Sequence, residues 1–202
     1  MSFFKSALLT VLAASAFTAH ATSTPLSADG QWQAFGVDSF SAVSGGTEWI
    51  DNDYTNSTGY GTSLDFNFTI ADGFVGQLTV VDASMAGDVF NVFNHGTLLG
   101  ATSSVPVQLY GSAPDIGDDH DAALLNSAFS RGVFTLGAGS YSISGVLTQS
   151  LMLDDGAGGL SPLNATSGAL KLSVSAVPEP STLVFAVLGL AWLVSSRRTS
   201  SR

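Results

Sequence analysis

The chain of 202 residues has no cysteine. That excludes disulfides, thiolate nucleophiles and cysteine-ligated metal centres, so the fold must be held by its apolar core. Basic side chains are nearly as scarce, with six Lys and Arg against sixteen Asp and Glu. Between Thr22 and Val177, fifteen acidic residues, fourteen of them Asp, face only Arg131 and Lys171, a net charge of −13. Such a surface repels nucleic acid and anionic lipid, and it tolerates cations and neutral sugars. Only two histidines, His95 and His120, fall inside that stretch. No H-E-x-x-H pair, G-x-S-x-G elbow or phosphate loop occurs. A Ser-His-Asp triad through His120 is arithmetically possible, but no serine is singled out. The abundance of Asp also leaves a two-carboxylate glycosidase conceivable. No residue pattern assigns a catalytic role, and the expectation is a protein that is not an enzyme.

What is present is a period of two. In Leu64-Asp65-Phe66-Asn67-Phe68-Thr69-Ile70 the apolar side chains alternate with polar ones, the signature of a half-buried strand. Leu78 to Val81 is the expected next strand, after an Ala71-Asp72-Gly73 turn. Val89 to Phe93 and Leu98 to Thr102 flank Asn94-His95-Gly96-Thr97, a hairpin in which Gly96 is free to take positive φ. Val133 to Leu136 and Tyr141 to Val146 flank Gly137-Ala138-Gly139-Ser140, read as another hairpin. Leu170, Leu172, Val174 and Ala176 mark the last strand. The one helical hint is Asp121 to Phe129. The pattern predicts an all-β, antiparallel β-sandwich or jelly-roll-like domain over 22–177.

Both ends differ from this body. The first 21 residues carry Lys5, an apolar stretch from Ala7 to Phe17 and a small-x-small site at Ala19-His20-Ala21. This is the pattern of a signal peptide cut before Thr22, which sends the chain through the Sec translocon. At the other end, Pro178-Glu179-Pro180 precedes an uncharged run, Leu183 to Val194, and then Arg197, Arg198 and Arg202. Twelve helical residues rise only ~18 Å, against roughly 30 Å of hydrocarbon. A helix over 182–196 is therefore short for a span and would need local thinning and snorkelling. The arginines would hold the tail on the cytoplasmic side.

The motif Val177-Pro178-Glu179-Pro180-Ser181-Thr182, with the short apolar helix and terminal arginines, resembles the PEP-CTERM sorting signal of exported Gram-negative proteins. It is also similar to a segment labelled ice-binding protein C-terminal domain, a label that carries no ice binding here. The resemblance implies recognition by an exosortase, a membrane-embedded cysteine protease, and processing at or near the Pro-Glu-Pro motif. It implies a precursor anchored in the inner membrane, then delivery to the cell surface or extracellular matrix, with exopolysaccharide as a possible partner in biofilm. Within the body, Gly87, Asp88, Phe90, Val92, Gly96, Gly100 and Thr102, with Leu136, Gly139, Tyr141 and Ile143, look like a recurring pattern of PEP-CTERM passengers. No activity attaches to that pattern.

Three acidic clusters remain. Asp51-Asn52-Asp53 sets oxygen ligands at alternate positions, as a calcium loop does, but without the Gly and Glu of an EF-hand. Asp115, Asp118, Asp119 and Asp121 crowd around His120, and a cation would relieve their mutual repulsion. Asp154-Asp155-Gly156 is smaller. Solvated turns are the plain alternative for all three. Trp49, Tyr54 and Tyr60 lie near the first cluster and would serve either as loop anchors or as a platform for a sugar face. The leading expectation is thus structural or adhesive envelope material with no required cofactor. The rivals are a calcium-assisted carbohydrate-binding module and a secreted hydrolase.

Overall fold

Alternation along the chain yields eleven strands in the computed structural model, which describes residues 21–55 and 58–177. In order they are β1 (Thr22–Pro25), β2 (Gln33–Asp38), β3 (Leu64–Ile70), β4 (Phe74–Ala83), β5 (Val89–Asn94), β6 (Thr97–Ala101), β7 (Arg131–Leu136), β8 (Gly139–Gln149), β9 (Met152–Asp154), β10 (Leu160–Pro162) and β11 (Ala165–Ala176), with one helix, α1 (His120–Leu125), between β6 and β7. The expected leader up to residue 20 with Ala19, the motif Pro178, Glu179 and Pro180, the 182–196 helix and Arg197, Arg198 and Arg202 lie outside the described residues. Among the described residues no helix is long and apolar enough to cross a membrane.

Two sheets carry the fold. One runs β1-β3-β8-β5-β6 and the other β2-β11-β4-β7, while β9 and β10 form a small separate ribbon. All pairings are antiparallel except that of β1 with β3. Period-two burial explains why the sheets face each other. Phe66 and Ile70 of β3, Phe90 and Val92 of β5, and Ile143 and Leu147 of β8 bury one row from the first sheet. Phe35 and Val37 of β2, Leu78 and Val80 of β4, and Leu170 and Leu172 of β11 bury the opposing row. Together they form one core. Trp49 enters it from a loop, stacked on Phe35 at 3.9 Å and edge-on to Phe66 and Phe90. It is fully buried, so the sugar-platform option ends for Trp49.

The opposite face of the second sheet holds a smaller cluster, where Val81 and Ala169 meet Ala123 of α1 and Phe129. The helix is shorter than the Asp121 to Phe129 expectation. Asp119 caps it by accepting from the Ala122 N–H at 2.9 Å, and Asn126 turns extended after Leu125. On the surface beside it, Asp121 accepts from the Trp32 indole N–H at 3.0 Å and from Lys171 at 3.2 Å, and the Lys171 ammonium lies 4.1 Å from the Trp32 ring centre. This contact ties α1 to β11.

The β5–β6 hairpin forms as expected, with Asn94 paired to Thr97. His95 at φ 46° and Gly96 at φ 74° both take the left-handed conformation that a two-residue loop requires. The second expected hairpin does not form. β7 pairs with β4 in one sheet, whereas β8 pairs with β3 and β5 in the other. Both edges of β8 are taken, so the Gly137-Ala138 link crosses between the sheets instead of turning back within one.

Candidate functional site

Strand parity leads to one end of the sandwich. On β4 the inner row reads Leu78, Val80 and then Asp82; the inner row of β5 is headed by Asp88 before Phe90 and Val92. A carboxylate thus closes an apolar row from each sheet, and both residues are fully buried. On β11 Thr166 falls in the same phase as Leu170 and Leu172. The Asp82 Oδ2 accepts from the backbone N–H groups of Gly87 and Asp88, each at 3.2 Å. The Asp88 Oδ1 accepts from the Leu151 N–H at 3.0 Å. Asp82 Oδ1 has no hydrogen-bond partner, and Asp88 Oδ2 makes no hydrogen bond of ordinary geometry, with the Thr166 hydroxyl as its nearby donor.

Gly87 makes this geometry possible. It sits at φ 127°, where a side chain would meet Gln108 and Leu151 at 3.1–3.2 Å. The Gly87-Asp88 pair of the recurring sequence pattern is therefore a buried junction. Thr102, from the same pattern, accepts from the Phe90 N–H at 3.0 Å and shares a hydrogen bond with Ser130 at 2.8 Å.

Electrostatics follow from burial. Loss of water raises the Asp82 carboxyl to about 9, the Asp88 carboxylate adds to that, and the amides of Asp88, Gly87 and Ala83 pull against it. Asp88 is raised to about 6 by burial, against the Thr166 hydroxyl and the Leu151 N–H. Leu151 and Thr166 also line a surface pocket of about 370 Å³ with Ser84, Met85, Tyr110 and Leu163. The lip carrying Ser84 to Ala86 is pinned from outside by the 114–117 segment, through Ser84 N–H to the Gly117 carbonyl and Ala86 N–H to the Pro114 carbonyl.

The acidic positions expected from sequence lie elsewhere, and most of them hold turns or a helix end. Asp51 accepts from the Asp53 N–H at 2.9 Å, and Asp53 from the Thr55 N–H and hydroxyl at 2.8 and 2.7 Å. Asp115 accepts from the Gly117 N–H at 2.9 Å, Asp119 caps α1, and Asp121 is held by Trp32 and Lys171. The backbone carbonyl of Asp118 receives the His120 N–H at 2.9 Å. Asp154 and Asp155 accept from the Gly156, Ala157 and Gly159 amides. Among the described residues no three His, Asp or Glu side chains gather as a metal-ligand set. The histidines are equally local: a His95 ring nitrogen lies 3.3 Å from the Ser140 carbonyl, and His120 packs 5.6 Å from Trp32.

Tyr54 and Tyr60 stack on each other, ring centres 4.7 Å apart. They line a second groove of about 210 Å³ with Asp38, Asn52 and Thr166. Asp38 is itself engaged, accepting from the Ser41 hydroxyl at 2.6 Å and the Phe40 N–H at 2.9 Å.

No family model matches the chain, and no curated protein matches it. Among solved structures it is similar to the pre-peptidase C-terminal domain of collagenase from Bacillus anthracis, at 8% identity and a TM-score of 0.35, over 77% of this chain and 97% of that one. A likeness at that level carries no argument about function.

Proposed function

We propose that the chain is an exported passenger, sorted through the membrane by an exosortase to the cell envelope or extracellular matrix of a Gram-negative bacterium. There it serves as structural or adhesive material associated with exopolysaccharide. The observation that carries this reading is the ordered tail: Pro178-Glu179-Pro180, an uncharged run, then Arg197, Arg198 and Arg202. The fold is compatible with the processing it implies. β1 starts at Thr22 and β11 ends at Ala176, so cuts after Ala21 and near Pro178 remove no strand. The body's two histidines sit in a hairpin turn and at a helix end, which suits a structural role better than a catalytic one. A sugar-binding role has one observation behind it, the Tyr54–Tyr60 groove beside Asp38 and Asn52. Glycan-array binding with and without a chelator separates that reading from the first.

Two measurements test the sorting claim. The intact mass of protein taken from the host surface is expected to fit a start at Thr22 and an end between Val177 and Ser181. Neutral residues at Arg197, Arg198 and Arg202 are expected to abolish surface display while leaving the body's circular dichroism unchanged, because the arginines act at the membrane face. A full-length surface chain, or undiminished display of the triple variant, sinks the claim.

A further inference from the structure

Asp82 and Asp88 pose a problem that the sorting reading does not address. Two carboxylates are fully buried; Asp82 Oδ1 has no partner, and Asp88 Oδ2 has none beyond the nearby Thr166 hydroxyl. A buried carboxyl group with an unmet oxygen is costly in either protonation state. Their partnered oxygens are held by backbone N–H groups of Gly87, Asp88 and Leu151, which fixes both carboxylates in place. The Asp88 N–H bonds to Asp82, so the two groups are close neighbours. Among the described residues no cationic side chain pairs with either; their salt bridge, Lys171 to Asp121, lies on the other face of β11.

We propose that this end of the sandwich is a divalent-cation site, with Asp82 Oδ1 and Asp88 Oδ2 as its charged ligands and calcium as the ion. Two carboxylates neutralise a divalent charge. Thr166 supplies a neutral oxygen beside Asp88; its hydroxyl is shared between Asp88 and the Ser167 carbonyl, the latter at 3.4 Å. Leu151, whose N–H holds Asp88, and Thr166 line the neighbouring surface pocket with Ser84 and Tyr110, the side from which water would complete the shell. The oxygen-only donor set fits a hard cation, whereas zinc would want nitrogen or sulfur. Calcium accepts six to eight ligands in irregular geometry, whereas magnesium demands a near-ideal octahedron that oxygens from β4, β11 and the residue before β5 do not promise. The site is separate from the surface Asp clusters and independent of the export reading, since it belongs to the body alone.

The test uses the full chain in detergent, with calcium chloride against chelator plus magnesium chloride at matched ionic strength. Matching removes the general screening that any salt gives an acidic protein. Calcium at a hundredfold excess over its dissociation constant is expected to raise Tm by roughly 5–10 °C. Asp82→Asn and Asp88→Asn, each near-isosteric, are expected to abolish that rise and the bound radiolabelled calcium seen in equilibrium dialysis. Asp115→Asn combined with Asp118→Asn is expected to keep both. Wild-type protein that binds no calcium overturns the proposal without recourse to any variant. So does a calcium response that survives in Asp82→Asn and Asp88→Asn, or one lost in the Asp115 and Asp118 control instead.

Discussion

Alanine at Gly145 is expected to destabilise the sandwich by on the order of 3 kcal/mol, an overpacking cost at the top of the usual range. For a domain of this size that lowers Tm by roughly 6–12 °C. Gly145 sits in β8 opposite Val92, and its carbonyl accepts the Trp49 N–H at 2.9 Å. A methyl group there would press into the Trp49 indole at Cε2 and Cζ2 and lie 2.6 Å from Nε1. The ring has nowhere to go, because Phe35 covers one face and Phe66 and Phe90 flank it. Of the clashing atoms, Cζ2 belongs to the benzo ring that phenylalanine lacks, whereas a phenylalanine ring would still occupy the pyrrole end of the indole. Trp49→Phe alone loses buried area but also removes a buried indole N–H that has no hydrogen-bond partner. In that background Gly145→Ala should cost less, by the share of the clash that the benzo ring carries. Chemical denaturation of the four proteins closes the cycle. An equal cost of Gly145→Ala with Trp and with Phe at position 49 would falsify the packing account.

Much of this core was legible before the structure. Leu64 to Ile70 and Leu170 to Ala176 form strands in the register their alternation requires, and His95-Gly96 turns the hairpin. What failed was partner choice. Gly137 to Ser140 has the composition of a hairpin loop, but local composition cannot tell a turn within a sheet from a crossing between two; that depends on which edges of β8 are free. The surface acidic residues carry less information than their density suggests. Density along the chain draws attention to Asp51, Asp53, Asp115, Asp118, Asp119 and Asp121, yet adjacent Asp residues satisfy neighbouring amides and cap turns. Asp82 and Asp88 are isolated in sequence, and local density does not point to them as ligands. The signal that marks them is phase. Asp82 continues the row of Leu78 and Val80, and Asp88 begins the row of Phe90 and Val92, so each stands where an alternating strand calls for an apolar side chain. A charge on the buried phase is more informative than several charges on the exposed one.

The same phase argument predicts a pH dependence opposite in sign to that of the surface carboxylates. Asp38, Asp53, Asp121 and Asp155 lie below the ordinary value of 3.8, led by hydrogen bonds from Ser41, Thr55, Trp32 and the Ala157 amide. Their stabilisation is present above that value and lost as the pH falls through their folded pKa. Asp82 and Asp88 are raised instead, to about 9 and about 6. In chelator, their neutral forms are tolerated in full below pH 3.8, and stability falls as the pH rises toward each folded value. The Asp88 share is gone near pH 6, while the Asp82 share continues to decline to about 9. Above pH 6.5 the surface carboxylates are ionised in folded and unfolded chains alike, so they contribute no slope there. The comparison to make is urea unfolding of wild type and Asp82→Asn in chelator between pH 6.5 and 9. Wild type should lose stability across that window relative to the variant, because asparagine fills the same space with no proton to lose. Parallel curves for the two proteins would mean that Asp82 ionises as readily in the fold as outside it. The buried, unpartnered oxygen would then have a compensating donor, and the electrostatic account of the sandwich end would fail.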